Sequence, residues 1–278
     1  MSQKRQSGVF DRLEDTRSAI ATLTHDYAAG HVVPLHFHNF DQLVYASRGV
    51  MTVRTSEGAW VVPTYRAVWI PAAVSHAITM SGTVAMRTLY LRPRLARELP
   101  RYCCVVSVSP LLKELILHAC NYTTLKTQIT WQRHLIEILV DQLKTIQTVP
   151  LQLPNPSDPR ALRVTHSLLA DPSNSQSLSI VCKGAGASRR TIERLFQEDV
   201  GMTVGKWRQQ LRLMHAMQLL AGGAKVTHAA MEAGYSTPSA FISMFRKTLG
   251  TTPARFFVTA SITNSSDHSI RKIRNRRK

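Results

Sequence analysis

Two segments of this chain follow one pattern. SIVCKGAGASRRTIERLFQEDVGMTVGKW and, further on, KVTHAAMEAGYSTPSAFISMFRKTLGTTPARF each hold a short helix candidate, then Ala-Gly-x-Ser, then a second helix candidate ending in Phe. Each closes on Gly-x-Thr and an aromatic. Gly186 and Gly234 fall where a tight helix-to-helix turn needs a positive φ. Ser188 and Ser236 stand as N-caps, able to accept from the first free amides of the next helix. In the first copy Ile192, Leu195 and Phe196 have i, i+3, i+4 spacing and face inward. That turns Arg190, Thr191 and Arg194 outward, with Arg189 and Glu193 on the flanks. In the second copy Ala240, Phe241, Met244 and Phe245 look inward, and Thr237, Ser239, Ile242, Ser243, Arg246 and Lys247 look outward. One such pair is compatible with a solvated helical surface. Two copies point to paired helix-turn-helix units, whose second helices present their N-terminal parts to base edges.

Charge supports a polyanion partner. The chain carries a formal +18 over 278 residues. From Met1 to Pro159 the balance is +5, and from Arg160 onward it is +13. A basic region beside a near-balanced one suits nucleic acid. No apolar run approaches the roughly 20 residues of a membrane span. The opening MSQKRQSGVFDRLEDTR lacks the apolar core of a secretory signal, so a cytoplasmic protein is expected. Cys103, Cys104, Cys120 and Cys182 lack paired metal spacing and read as buried free thiols.

The segment from about Arg160 to Phe257 resembles the DNA-binding domain of the AraC/XylS family of bacterial transcription regulators. AGASRRTIERLF and AGYSTPSAFISMFRKTLGTTPARF carry the resemblance. It implies two helix-turn-helix units joined by a long helix, KWRQQLRLMHAMQLLAGG, with Trp207, Leu211, Met214, Leu219 and Leu220 as its core face. It implies two recognition helices in successive major grooves, roughly 34 Å apart. It places base-reading positions at Arg190, Glu193 and Arg194, then at Pro238, Ser239, Ile242 and Ser243. The second set has few strong donors, so the first unit is expected to carry most direct readout. The second contributes phosphate contacts and methyl contact through Ile242. Gly184 costs roughly 1 kcal/mol against Ala inside a helix and suggests an early end to the first positioning helix.

The N-terminal half reads differently. QLVYA, GVMTVRTS, GAWVVP and AVWIP are short β-rich runs separated by Gly or Pro, as in a barrel or sandwich. Leu111, Leu112, Leu115, Ile116 and Ala119 lie at helix spacing behind Ser109-Pro110. Leu135, Ile138, Leu139, Leu143 and Ile146 form a second stripe. These helices pack on the barrel or pair with a second subunit. The stretch VPLQLPNPSDPR holds four prolines and suits an extended linker.

The expected fold class is α+β multidomain: a cupin-like barrel with accessory helices, then an all-α domain with two helix-turn-helix units. The expected divisions are an N-terminal segment (1–17), the barrel (18–108), a helical region serving dimerisation (109–149), a Pro-rich linker (150–159), the DNA-binding domain (160–258) and a basic disordered tail (259–278).

Residues from about His31 to Arg92 resemble the small cupin sensor found in many members of this family. His36 and His38 sit where cupin metalloenzymes have paired ligands, and His76 where they have a later one. Gln42 stands where such cupins place glutamate, and a neutral oxygen is a poorer ligand for a divalent ion. Three readings follow: a catalytic metal site, a sensor pocket with metal or only hydrogen bonds, and histidines that cap strand ends. The sensor is favoured, because no other catalytic constellation is present. Tyr45, Trp60, Tyr65 and Trp69 are pocket candidates, at least two of them expected in the core. The effector-site set is therefore His36, His38, Gln42, Tyr45, Trp69 and His76, with His36, His38 and His76 as metal candidates. GAWVVPTYRAVWIPAAVSHAITMSGTVAMRTLYLRP further resembles a subgroup that often controls transporter or efflux genes.

The sequence thus reads as a non-enzymatic, effector-responsive transcription regulator. Its expected partners are promoter DNA, a small-molecule effector or divalent metal, RNA polymerase if it activates, and a second copy of the chain. A cupin enzyme tethered to DNA and a nonspecific architectural protein are the alternatives.

Overall fold

The computed structural model describes residues 18–149 and 151–257. The expectations for residues 1–17, Pro150 and the tail from 259 lie outside the described residues. The chain forms two compact units, the first ending at Gln152 and the second beginning at Leu153.

The first unit is an antiparallel sheet with two helices on one face. Its strands are β1 (Ser18–Tyr27), β2 (Val32–His36), β3 (Asp41–Thr55), β4 (Gly58–Val62), β5 (Arg66–Ile70), β6 (His76–Leu91), β7 (Cys104–Ser107), β8 (Thr124–Lys126) and β9 (Thr148–Val149). They run in the order β8-β1-β6-β3-β5-β7-β9, with β2 beside β6 and β4 beside β3. The long partners β3 and β6 organise the sheet. Their register shifts on both sides of Arg48, and such irregularities bend and twist a strand pair. One half of β6 then serves β1 and the other serves β2.

Helices α1 (Pro110–Ala119) and α2 (Thr130–Lys144) cover one face of this sheet. Ser109 caps α1 by accepting from Leu112 N. Leu112, Ile116, Leu139 and Leu143 pack with Leu43, Tyr45, Trp69, Leu89 and Leu91 in one core. Residues Asp41–Ala46 are consecutively buried, because helices lie on one side of β3 and the sheet's own interior on the other. Two stripe expectations need correction. Leu111 and Ile138 are exposed, whereas Ile136 and Val140 are buried. Each helix takes the phase that aims its larger apolar set at the sheet, and a stripe written by spacing alone slips by one residue.

The second unit is helical: α3 (Pro159–Ala170), α4 (Leu178–Gly184), α5 (Arg189–Val200), α6 (Val204–Ala221), α7 (Val226–Glu232) and α8 (Pro238–Leu249). Pro159 opens α3 behind the Asp158 cap, rather than closing an extended linker. Its missing N–H costs nothing at a first helical position. The residues before it are fastened to this unit. The Trp207 indole donates to Pro154 O at 2.9 Å, and Ser157 donates from both N and Oγ to Asp199.

The two turns are built alike. Gly186 and Gly234 have φ +79° and +78°. In each turn the next residue's amide reaches back, Ala187 N to Cys182 O and Tyr235 N to Ala230 O. Ile192, Leu195 and Phe196 are buried, as are Phe241 and Phe245. Met244 is half-buried and Ala240 is exposed, so Ala240 leaves the expected inward set. The connector α6 buries Trp207, Leu211, Met214 and Leu220 as expected, and Leu213, Ala216 and Met217 as well. It lies between two helix pairs, which is why its apolar surface is wider than one stripe.

Candidate functional site

Helix α5 presents its N-terminal half outward. Ser188 caps it, Thr191 N donating to Ser188 Oγ at 3.1 Å. Arg189, Arg190 and Arg194 are exposed and Thr191 is half-buried. The arginines differ in their engagements. Arg194 donates to both oxygens of Glu198, at 3.0 and 2.8 Å. Arg189 lies 3.5 Å from Glu193. Arg190 forms no ion pair among the described residues. Glu193 turns its other oxygen to the first amide of α6, Val204 N, at 3.1 Å. Its carboxylate therefore holds recognition helix and connector together.

In the second unit the N-cap is Thr237, not Ser236: Ala240 N donates to Thr237 Oγ1 at 3.1 Å. Pro238 takes the first helical position and shifts the cap one residue along. Ser236, Ser239, Ser243, Arg246 and Lys247 are exposed, and Ile242 and Pro238 are half-buried. Arg246 and Lys247 lie in the last turn of α8, where the helix dipole favours cations.

The sensor candidates fall on two faces of the sheet. His36 is paired with His76 across β2 and β6. His38 follows just past the strand end. Ring centroids are 4.3 Å apart for His36–His76, 5.2 Å for His38–His76 and 6.0 Å for His36–His38. The potential ligand atoms all lie within 4.8 Å of one another. Each ring spends Nδ1 on a nearby carbonyl: His36 on Pro34 O at 2.8 Å, His38 on Phe40 O at 2.7 Å and His76 on Val74 O at 2.9 Å. That bond sets the tautomer and leaves Nε2 with a lone pair. Burial pushes His76 down to about 3 and also lowers His38, so both rings are neutral at pH 7. Nε2 of His36 and of His76 are buried without a hydrogen-bond partner. Gln42 Oε1 lies 3.1 Å from His38 Nε2, and Tyr90, opposite Gln42 in the register, packs its ring 5.2 Å from His38.

Tyr45 and Trp69 belong to the other face. They pack under the helices, and Trp69 Nε1 donates to Pro100 O at 2.9 Å. Tyr45 is three residues from Gln42 on one strand, so the two point opposite ways. These aromatics do not join the histidines. Trp60 is buried as well, and Tyr65 is half-buried.

Comparison with known proteins follows the same division. Residues 21–139 match the model of the AraC-like ligand binding domain, and residues 181–258 match a helix-turn-helix domain. The HTH-type transcriptional regulator NimR of Escherichia coli is 33% identical over 91% of this chain and 92% of its own. The chain belongs to the AraC family of helix-turn-helix transcription regulators. It therefore binds DNA sequence-specifically and carries a ligand-binding domain. AraC-family membership replaces both alternatives, the tethered cupin enzyme and the nonspecific architectural protein. The regulator RipA of Corynebacterium glutamicum is 30% identical over 37% of this chain and 31% of its own. The crystal structure of the DNA-binding domain of AdpA with a target DNA is 29% identical, covering 37% of this chain and 93% of that one, with a TM-score of 0.35.

Two arginines of this AraC-family reader escape sequence reasoning. Arg163 on α3 donates from Nε and Nη2 to Ala185 O, at 3.1 and 2.9 Å. Ala185 is the C-cap of α4, directly before the turn. Arg212 on α6 lies against Gly234, where an added Cβ would meet its Nη2 at 2.9 Å. Arg163 and Arg212 are separated by the same interval as Phe196 and Phe245. The repeat is thus three helices long, and the leading helix of each copy brings a guanidinium beside the turn, although Arg212 donates to Pro172 O and Asn174 O rather than to the turn itself. A shared offset of arginines was the available signal. Arg163→Ala removes two charge-assisted bonds to a helix end, each class of bond worth about 1.5–3 kcal/mol. Its operator affinity is expected to fall about tenfold, with a smaller loss on random DNA and partial rescue by Arg163→Lys, measured by fluorescence anisotropy.

Proposed function

We propose that this regulator senses through the histidine face of its sheet, holding a divalent ion on Nε2 of His36, His38 and His76 with Gln42 Oε1 as a fourth donor. The observation that carries this reading is the pair of buried, unpartnered Nε2 atoms aimed into one cluster. Buried polar atoms are rarely left without a partner. The ion supplies a Lewis-acidic point at which an effector is held, and the residues around it set its position. Effector binding shifts the population competent for DNA.

On DNA, Arg190 is the foremost base reader in this proposal, because no ion pair competes for it. Arg194 must first leave Glu198. Ser188, Arg189 and Thr191 flank them, and Ser236, Thr237, Pro238, Ser239, Ile242, Ser243, Arg246 and Lys247 provide second-groove contacts. Arg190→Ala is expected to cost about 1–3 kcal/mol on the operator and less on random DNA. Equal losses on both would leave it a phosphate contact only.

The partners in this reading are promoter DNA, the effector, RNA polymerase if the protein activates, and a second copy meeting it through α1 and α2. Exposed Leu111, Trp131 and Ile138 support that last contact. Among the described residues no helix is long and apolar enough to cross a membrane. We place the protein in the cytoplasm, acting on transporter, efflux or metabolic genes near its own. Binding of the purified protein to fragments of its genome, with and without a chelator, tests the whole reading. Discrete sites whose occupancy changes on chelation are expected. Discrete sites indifferent to chelation would remove the metal from the mechanism.

A further inference from the structure

The charge of the histidine cluster has a consequence for what it binds. Three neutral imidazoles and one amide oxygen leave a divalent ion with its full double charge. No Asp or Glu joins the cluster among the described residues. Asp41, next to Gln42 in sequence, is turned to the other face by strand alternation and accepts from Ala72 N at 2.9 Å. An uncompensated charge in a largely buried site is costly, and an anion arriving from solution removes that cost. The same face carries a further polar side chain beyond Gln42. His36 is half-buried, so its ring, though not its buried Nε2, marks the side of the cluster nearest solvent. Thr88 and Tyr90 lie two apart on β6, on the same face as Gln42. The Thr88 hydroxyl is wholly buried and makes no hydrogen bond among the described residues.

We infer that the effector of this regulator is a small carboxylate-bearing molecule that completes the ion's coordination, a role for which the all-neutral set of His36, His38, His76 and Gln42 leaves the charge. This rests on the metal reading above and adds the class of ligand. Glutamate at the position of Gln42 would supply the missing charge from the protein and close the site to outside anions. Glutamine leaves it open, and selectivity for charge follows.

The full-length protein, stripped with chelator and reloaded with Co²⁺, tests this through its visible absorption bands, which respond to each inner-sphere ligand. One equivalent of Co²⁺ is expected to bind. Acetate should then change the bands saturably, and acetamide, its neutral counterpart, should not. Gln42→Glu should hold Co²⁺ more tightly and weaken the acetate response by at least about tenfold, since a carboxylate then competes for the same charge. Failure to bind Co²⁺ any better than a His36→Ala/His38→Ala/His76→Ala protein overturns the metal reading and the inference with it. Stoichiometric Co²⁺ with bands indifferent to a large excess of acetate, or equally responsive to acetamide, overturns the inference alone. Should Gln42→Glu fail to fold, the acetate and acetamide arms on the natural chain decide.

Discussion

Replacing His76 with alanine is expected to weaken zinc binding by about a hundredfold or more, since even partners outside the first shell are worth about 10–100-fold. His76 sits at the start of β6, paired with His36 and within ring contact of both other histidines. It is fully buried, and burial holds it neutral with Nε2 unpartnered. Its ring donates from Nδ1 to Val74 O and leaves Nε2 as a buried nitrogen that satisfies nothing in the protein. Removing it should lower the stability of the metal-free protein by about 1–3 kcal/mol, through the lost Val74 bond and the space the ring leaves. The contrast with metal present is the sharp part. A ligand that binds only the folded state raises the melting temperature. Zinc should therefore raise the melting temperature of the natural chain and leave that of His76→Ala almost unmoved. Competition against a chromophoric chelator reads the affinity directly. An equal zinc-induced shift in both proteins would falsify the role assigned to His76.

Phe245→Ala should destabilise the helical unit by about 3–5 kcal/mol, the range for truncating a buried aromatic. Phe245 is fully buried on α8. Its ring centroid lies 5.6 Å from Phe241 and 5.5 Å from Phe256, both close to perpendicular, and Phe241 in turn lies 5.2 Å from Tyr235. This aromatic chain ties α8 to the turn before it and to the residues after it. Truncation leaves a cavity among rings that cannot collapse without moving the helix. The second recognition helix then loses its position, and operator affinity falls with stability. A urea titration should show the transition of the helical unit shifted to lower denaturant, with the sheet's transition in place. A loss below about 1 kcal/mol would mean that α8 is not held by this cluster.

The two predictions fall on parts of the chain that differ in how far sequence reveals them. The helix-turn-helix units are governed by local chemistry. A positive φ at Gly186 and Gly234, a hydroxyl accepting from the third amide of each recognition helix, and an i, i+3, i+4 apolar set all act within a dozen residues. Repetition raises the signal further. The one cap misplaced, Ser236 for Thr237, concerns two adjacent hydroxyls that differ only in whether Pro238 enters the helix. The stripe errors at Leu111, Ile138 and Ala240 are of the same kind. Spacing names a helix and its period, but the phase is set by what the helix lies against.

The sensor shows the opposite limit. His36 and His38 can be seen to share a strand face, yet their meeting with His76 depends on β2 and β6 pairing His36 with His76, some forty residues apart in sequence. The assignment of Tyr45 and Trp69 to the same pocket fails for a related reason. Because β3 is buried on both faces, its residues carry no polar alternation to say which side is which. By itself the sequence determined the doubled helix-turn-helix, its turns and the Ser188 cap, the basic charge that suits DNA, and the histidines and amide on offer as donors. The tertiary structure alone decided which donors converge, that Arg163 braces a turn and that Arg194 and Arg189 pair with carboxylates while Arg190 does not. Those outcomes depend on strand register and on side chains reaching between helices. Such contacts join residues far apart in the chain, and no local preference encodes them.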